Sequence, residues 1–171
     1  MKLKYLPKCI TTSILVVLMG ATSFTQAETT QAPLASETTE KLMNTGDFTP
    51  SKLNALEEAL NVPVSSEANR VCITVHSEFP IYNLAPEDFK IVNAYRTSCA
   101  AGTHSISVNN RVSGRGWLIA YIFKKIDGKW VEVEGGLPSE SYYGGAGEYR
   151  LVAYNRGREA STGHAKTAAP F

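Results

Sequence analysis

The sequence predicts a mainly β protein, an antiparallel β-sandwich or small barrel with one short N-terminal helix. From residue 69 onward, apolar and polar residues alternate with the period of two that a half-buried strand shows. About six such runs follow one another, separated by Gly, Pro and Asn turns rather than by crossover helices, which argues against a βαβ arrangement. A single short stretch ahead of them carries leucines at helical spacing instead.

The amino terminus has the form of an export signal. Lys2, Lys4 and Lys8 make a basic lead, Ile14 to Met19 an apolar stretch, and Gly20, Ala21 and Ser23 follow as small residues. The apolar run breaks well short of the roughly 20 residues that a membrane-spanning helix needs, so cleavage is expected rather than anchoring. The expected cut follows Ala27, and Cys9, which precedes the apolar run and is not placed for lipidation, leaves with residues 1–27. Three lysines and no acid go with them, so a formal charge of +1 becomes −2. No nucleic-acid-like excess of basic charge remains, and a nucleic-acid partner is not expected.

Residues 28–47 are rich in Glu, Thr, Ala and Ser and read as a disordered acidic leader, too poor in apolar surface to offset the entropy of ordering. Residues 48–171 then make one β-rich domain of ordinary size. Thr49 is placed to cap a helix and Pro50 suits its first turn; Leu53, Leu56 and Leu60 recur on one face, and Pro63 ends it. With Glu57 and Glu58 on its polar face, this helix suits packing over the end of a sheet better than lying on a membrane, where Lys or Arg would be expected.

The first strand is expected around Val71, Ile73 and Val75, followed by a turn-rich stretch containing Pro80 and Pro86. Phe89 to Tyr95 reads as a second strand, and Ile106 and Val108 mark a third. Trp117 to Phe123 is apolar on both faces and reads as a central strand. Asp127-Gly128 is the pair a type I′ turn favours, so the Trp130–Val133 run should return as a hairpin. Glu148 to Tyr154 is the last clear strand; the tail from Glu159 to Phe171 is dominated by Ala, Thr, Ser and Gly and gives no clear pattern, with Pro170-Phe171 reading as a loose end or a short edge strand.

Two cysteines remain after export, and in an oxidising compartment they are expected to pair. A Cys72–Cys99 bridge would close a 27-residue span, tie neighbouring strands and contribute roughly 3.5 kcal/mol by constraining the unfolded chain. A redox pair would want the Cys-x-x-Cys spacing, which is absent.

No G-x-S-x-G, H-E-x-x-H, P-loop or dinucleotide-binding fingerprint occurs, and no cofactor is implied. His76, His104 and His164 lack a second ligand at metal-binding spacing, so a metal site is not expected. Two segments stand out instead. Arg111 and Arg115 lie on a Gly-containing turn echoed by Arg156 and Arg158, and four guanidinium groups meeting at one end of a sandwich would suit an anion; the alternative is two solvated turns. Tyr142 and Tyr143 sit inside a Gly-rich stretch from residue 135 to 147, expected to be a loop that either presents the rings to a partner or plugs the core.

These features favour a periplasmic or secreted binding module that recognises a protein or glycan partner in the envelope or outside the cell through inter-strand loops, with no transmembrane segment after signal cleavage. A secreted toxin or lipid-binding β protein is the alternative. A small hydrolase using His76 or His104 with a nearby carboxylate is the third reading.

Overall fold

The computed structural model describes residues 31–63, 72–110 and 116–171; the expected signal segment, Arg111 and Arg115 lie outside them. Eight strands form two four-stranded antiparallel sheets that pack face to face as a sandwich, and they do not close into a barrel. The first sheet has the order β1–β8–β3–β6, from Thr74–Leu84, Ser161–Pro170, Gly102–Asn110 and Ser139–Gly144. The second has the order β2–β7–β4–β5, from Phe89–Thr97, Gly147–Asn155, Leu118–Ile126 and Lys129–Leu137.

Between the sheets lies a core of Ile81, Val92, Tyr95, Ile106, Leu118, Ile122, Tyr149 and Leu151. A second core lies on the other side of the second sheet, where Ile119, Tyr121, Phe123, Val152 and Tyr154 meet two helices, α1 (Ser36–Asn44) and α2 (Pro50–Leu60). This explains why Leu118 to Phe123 are buried without interruption. The strand is central, as expected, and both its faces are dry because helices cover the one that points away from the sandwich.

The α2 helix forms where its leucines required, with Leu53, Leu56 and Leu60 buried, and it lies on the face of the sheet. The α1 helix corrects the expectation of a disordered leader over residues 28–47. Its single large anchor, Leu42, is fully buried, Thr38 Oγ1 accepts the Glu132 N–H at 3.0 Å, and Lys41 pairs with the buried Glu132 carboxylate at 2.8 Å. Just before it, the Trp130 N–H donates to the Pro33 carbonyl and the Ala35 N–H to the Trp130 carbonyl, both at 2.8 Å, so this segment covers the start of edge strand β5. Asn61 at the end of α2 clamps the same segment through the Ala32 N–H and carbonyl, at 3.0 and 2.8 Å.

Other expectations are also revised. β1 starts later than expected, runs through Pro80 and faces inward with Phe79 and Ile81, whereas Ile73 is 55 % exposed. Proline is accommodated because β1 is an edge strand. The tail, which shows no pattern in the sequence, is β8, an inner strand of the first sheet that runs to Pro170, and Phe171 bonds to Ile73, so these two residues are neither loose nor an edge. The inward positions of β8 include Ala165 and Ala169, whose small side chains let the two sheets approach. The 135–147 stretch is mostly strand, because β6 pairs with β3 in the register Ser105↔Ser141. The Asp127-Gly128 turn has both residues at positive φ, 49° and 75°, as the hairpin requires. Cys72 and Cys99 form the disulfide, with Cα atoms 5.7 Å apart. Cys72 precedes β1 and Cys99 follows β2, so the bridge joins the two sheets rather than neighbouring strands of one.

Candidate functional site

The sequence singled out two groups of residues, and their described members, Tyr142 and Tyr143 in one and Arg156 and Arg158 in the other, lie at opposite ends of the sandwich. At one end Tyr142 and Tyr143 lie on β6. Alternation separates them: Tyr142 packs against the inter-sheet core, and Tyr143 is 73 % exposed. Gly144 beside them has no room for a side chain, since a Cβ there would sit 2.3 Å from the Tyr142 ring and 2.7 Å from the Tyr149 hydroxyl.

Next to Tyr142 is a buried stack of Tyr95, His104 and Tyr149. The His104 ring lies 3.8 Å from Tyr149 by centroids, the Tyr95 hydroxyl donates to its Nδ1 at 2.7 Å, and Nε2 faces the Gly144 carbonyl at 3.4 Å. Burial lowers the His104 pKa from 6.5 to about 4, opposed by the Gly144 bond and assisted by the charge of Lys124. Burial also pushes the Tyr95 hydroxyl upward, with Tyr149 adding to it, and the Tyr149 hydroxyl to about 12. Both nitrogens of His104 are committed to the core, and His76 lies exposed on the outer face of β1. The structure does not bring these two histidines into one constellation. Among the described residues, no group of three His, Cys, Asp or Glu side chains is placed to hold a metal ion.

At the other end, three connections converge on Asn155. Its side-chain amide donates to the carbonyls of Leu84, Ala85 and Glu159 at 2.9, 3.2 and 2.8 Å. Its carbonyl oxygen accepts the N–H groups of Trp117 and Gly157, at 3.2 and 3.0 Å. One buried asparagine thus fixes the β1–β2 turn, the end of the β3–β4 connection and the β7–β8 loop together. Asn110 Nδ2 adds a 2.5 Å bond to the Gly116 carbonyl across the mouth of the 111–115 segment.

Arg156 extends from this junction and is not free to hold an anion in the way the sequence suggested. Asp47, which is buried, accepts from its Nε and Nη2 and also from the Tyr121 hydroxyl, while the Asp47 carbonyl accepts from Tyr154. The Asp47 hydrogen bond holds the Arg156 pKa above its ordinary value, against the cost of burial. The Trp117 ring, 52 % exposed, lies beside the Arg156 guanidinium at 5.7 Å, and Arg158 is exposed. This end therefore presents an aromatic ring next to a charge whose position is fixed from behind. Asp47 was invisible as part of it because its partner stands 109 residues away.

The fold and this end together define a helix-covered β-sandwich with a braced loop cluster. No protein-family model matches the chain, and no curated protein matches it. Solved structures to which the chain shows similarity include the Yersinia pseudotuberculosis-derived mitogen, 11 % identical with a TM-score of 0.39, covering 58 % of this chain and 85 % of that one. Another is Aeromonas hydrophila PliG, a periplasmic lysozyme inhibitor of g-type lysozyme, 17 % identical with a TM-score of 0.35, covering 64 % and 95 %. PirA is 17 % identical with a TM-score of 0.32, covering 61 % and 97 %.

Proposed function

We propose that the protein is an exported binding module that works outside the cytoplasm and recognises a protein or glycan partner through the inter-strand loops gathered at Asn155. The observation that carries this reading is the bracing of three connections by one buried side chain beneath an exposed Trp117 and Arg158. Loops held on a rigid sandwich lose little conformational freedom on binding, which is how a small scaffold reaches useful affinity. Arg111 and Arg115 belong to the same connection and extend its cationic character in this proposal. The Cys72–Cys99 bridge supports an oxidising, extracytoplasmic setting. Among the described residues no helix is long and apolar enough to cross a membrane.

A capture experiment from the envelope fraction tests the reading, with wild type, Trp117→Ala and Arg158→Ala as parallel baits. Retention of a partner by wild type and its loss from either variant, at unchanged melting temperature, is the expected result. An identical set of captured molecules on all three baits would place recognition elsewhere.

A further inference from the structure

The helices cover the second sheet, and the first sheet turns its outer face to solvent. That face carries short polar side chains in register, Ser105 opposite Ser141 and Ser107 opposite Ser139, and an exposed aromatic ring at its far end, Tyr143 opposite Thr103. Toward the Asn155 end, strands β1 and β8 frame a cleft of about 250 Å³ lined by Glu78, Pro80, Tyr82, Thr162, Gly163 and His164. Its shape follows from a bulge. The β1–β8 register shifts between Ile81 and Leu84, and Asn83 takes φ 47°, a left-handed conformation that asparagine tolerates. The Asn83 N–H donates to Thr162 Oγ1 at 3.1 Å and holds the bulge, leaving the Tyr82 ring 72 % exposed at the cleft edge. Gly163 keeps β8 close to β3, because a Cβ there would meet the Asn109 carbonyl oxygen at 1.9 Å.

We propose that this cleft is a saccharide-binding subsite for a neutral pyranose, a proposal that rests on the binding-module reading and names its ligand class. The ring of Tyr82 offers an apolar face to the C–H groups of a sugar. The Glu78 carboxylate accepts from ligand hydroxyls through charge-assisted bonds, with His164 Nε2 standing 3.7 Å from Glu78 Oε1 as a second polar group in the cleft. Lys166 lies opposite Glu78 in the strand register and Lys90 Nζ donates to the Pro80 carbonyl at 2.8 Å, so cations flank the cleft, while the carboxylate inside it favours ligand hydroxyls over an anionic group. The volume suits one or two sugar rings. Beyond the cleft, the serines of β3 and β6 supply hydroxyls and the exposed Tyr143 ring stands at the far end of the same face, a spaced polar and aromatic composition that fits the continuation of a glycan.

Calorimetric titration of the disulfide-bonded protein with chitotetraose, maltotetraose and cellotetraose, and with a hyaluronan tetrasaccharide as the anionic control, tests the subsite. The expected result is saturable binding of at least one neutral probe and weaker or no binding of hyaluronan. Tyr82→Ala and Glu78→Ala should each weaken it by roughly tenfold or more, with unchanged melting because both side chains are exposed. Neutral probes that fail to saturate at millimolar concentration overturn the subsite, as does an affinity that Tyr82→Ala leaves intact. The two proposals fail separately. Loss of glycan binding in Trp117→Ala but not in Tyr82→Ala overturns the cleft and keeps the loop cluster, and a protein captured through Trp117 with no glycan binding does the same.

Discussion

The Tyr95 hydroxyl donates to Nδ1 of His104 across 2.7 Å, while Nε2 of the same ring faces the Gly144 carbonyl. A carbonyl only accepts, so Nε2 holds the proton, Nδ1 is the lone pair, and the buried imidazole is neutral. Its pKa is depressed by burial to about 4, from 6.5. Between those two values the unfolded chain takes up a proton that the folded chain refuses. The contribution of this group is therefore complete above about pH 6.5 and is lost as pH falls toward 4, by about 3 kcal/mol in all. Urea unfolding across that window should show the loss in wild type and a flatter profile in His104→Gln. Parallel profiles for the two proteins would remove His104 from the account.

Asp47 joins the helical layer to the loop cluster, since its carboxylate accepts from both Arg156 and Tyr121. Asp47→Ala strands a guanidinium and a buried hydroxyl together. The expected cost is about 3 kcal/mol, at the low end for a broken buried pair because the Arg156 side chain keeps 31 % of its exposure. Hydrogen exchange should quicken in α1 and α2 more than in β3 and β8. Uniform quickening throughout the molecule would mean that Asp47 is part of one global unit and does not tie down the helices in particular.

Much of this architecture is written locally, and the parts that are not share a physical reason. The leucines of α2, the apolar run of β4 and the Asp127-Gly128 turn each act through neighbours in sequence, and all three form where the pattern places them. The α1 helix has only Leu42 as a large buried anchor, so its order depends on Glu132, Trp130 and Asn61, which no local window contains. β8 escaped notice because a strand squeezed between two others near a close-packed core favours alanine and glycine, and small residues mimic a linker. β6 looked like a loop because serines and glycines frame its tyrosines. Trp117, just after the first arginine turn, and Gly157, within the second, both bond to Asn155, but charge spacing alone does not reveal that Asp47 already occupies Arg156.

The bridge between Cys72 and Cys99 ties the two sheets at the end where β1 starts and β2 finishes. Removing it in a Cys72→Ala/Cys99→Ala variant should lower stability by roughly 3.5 kcal/mol, the value for a loop of this length. Denatured, unreduced wild-type protein purified after export should show no titratable thiol from either residue. Finding two would leave the pairing unsupported in the native compartment.

Tyr142 and Tyr143 are adjacent in sequence and opposite in consequence. Tyr142 closes the core beside Tyr149 and His104, at 6.3 and 6.2 Å between centroids, and lies under the Lys124 ammonium at 6.0 Å. Tyr143 faces solvent across from Thr103. Tyr142→Ala should therefore cost about 2 kcal/mol, less than a fully buried aromatic because its ring is only partly enclosed. Tyr143→Ala should fall within about 0.5 kcal/mol of wild type. If Tyr143 also takes part in recognition, its variant loses partner or glycan affinity at unchanged melting temperature, whereas any loss in Tyr142→Ala tracks the fall in stability. Equal destabilisation by the two substitutions would mean that β6 does not keep the alternation its pairing with β3 imposes.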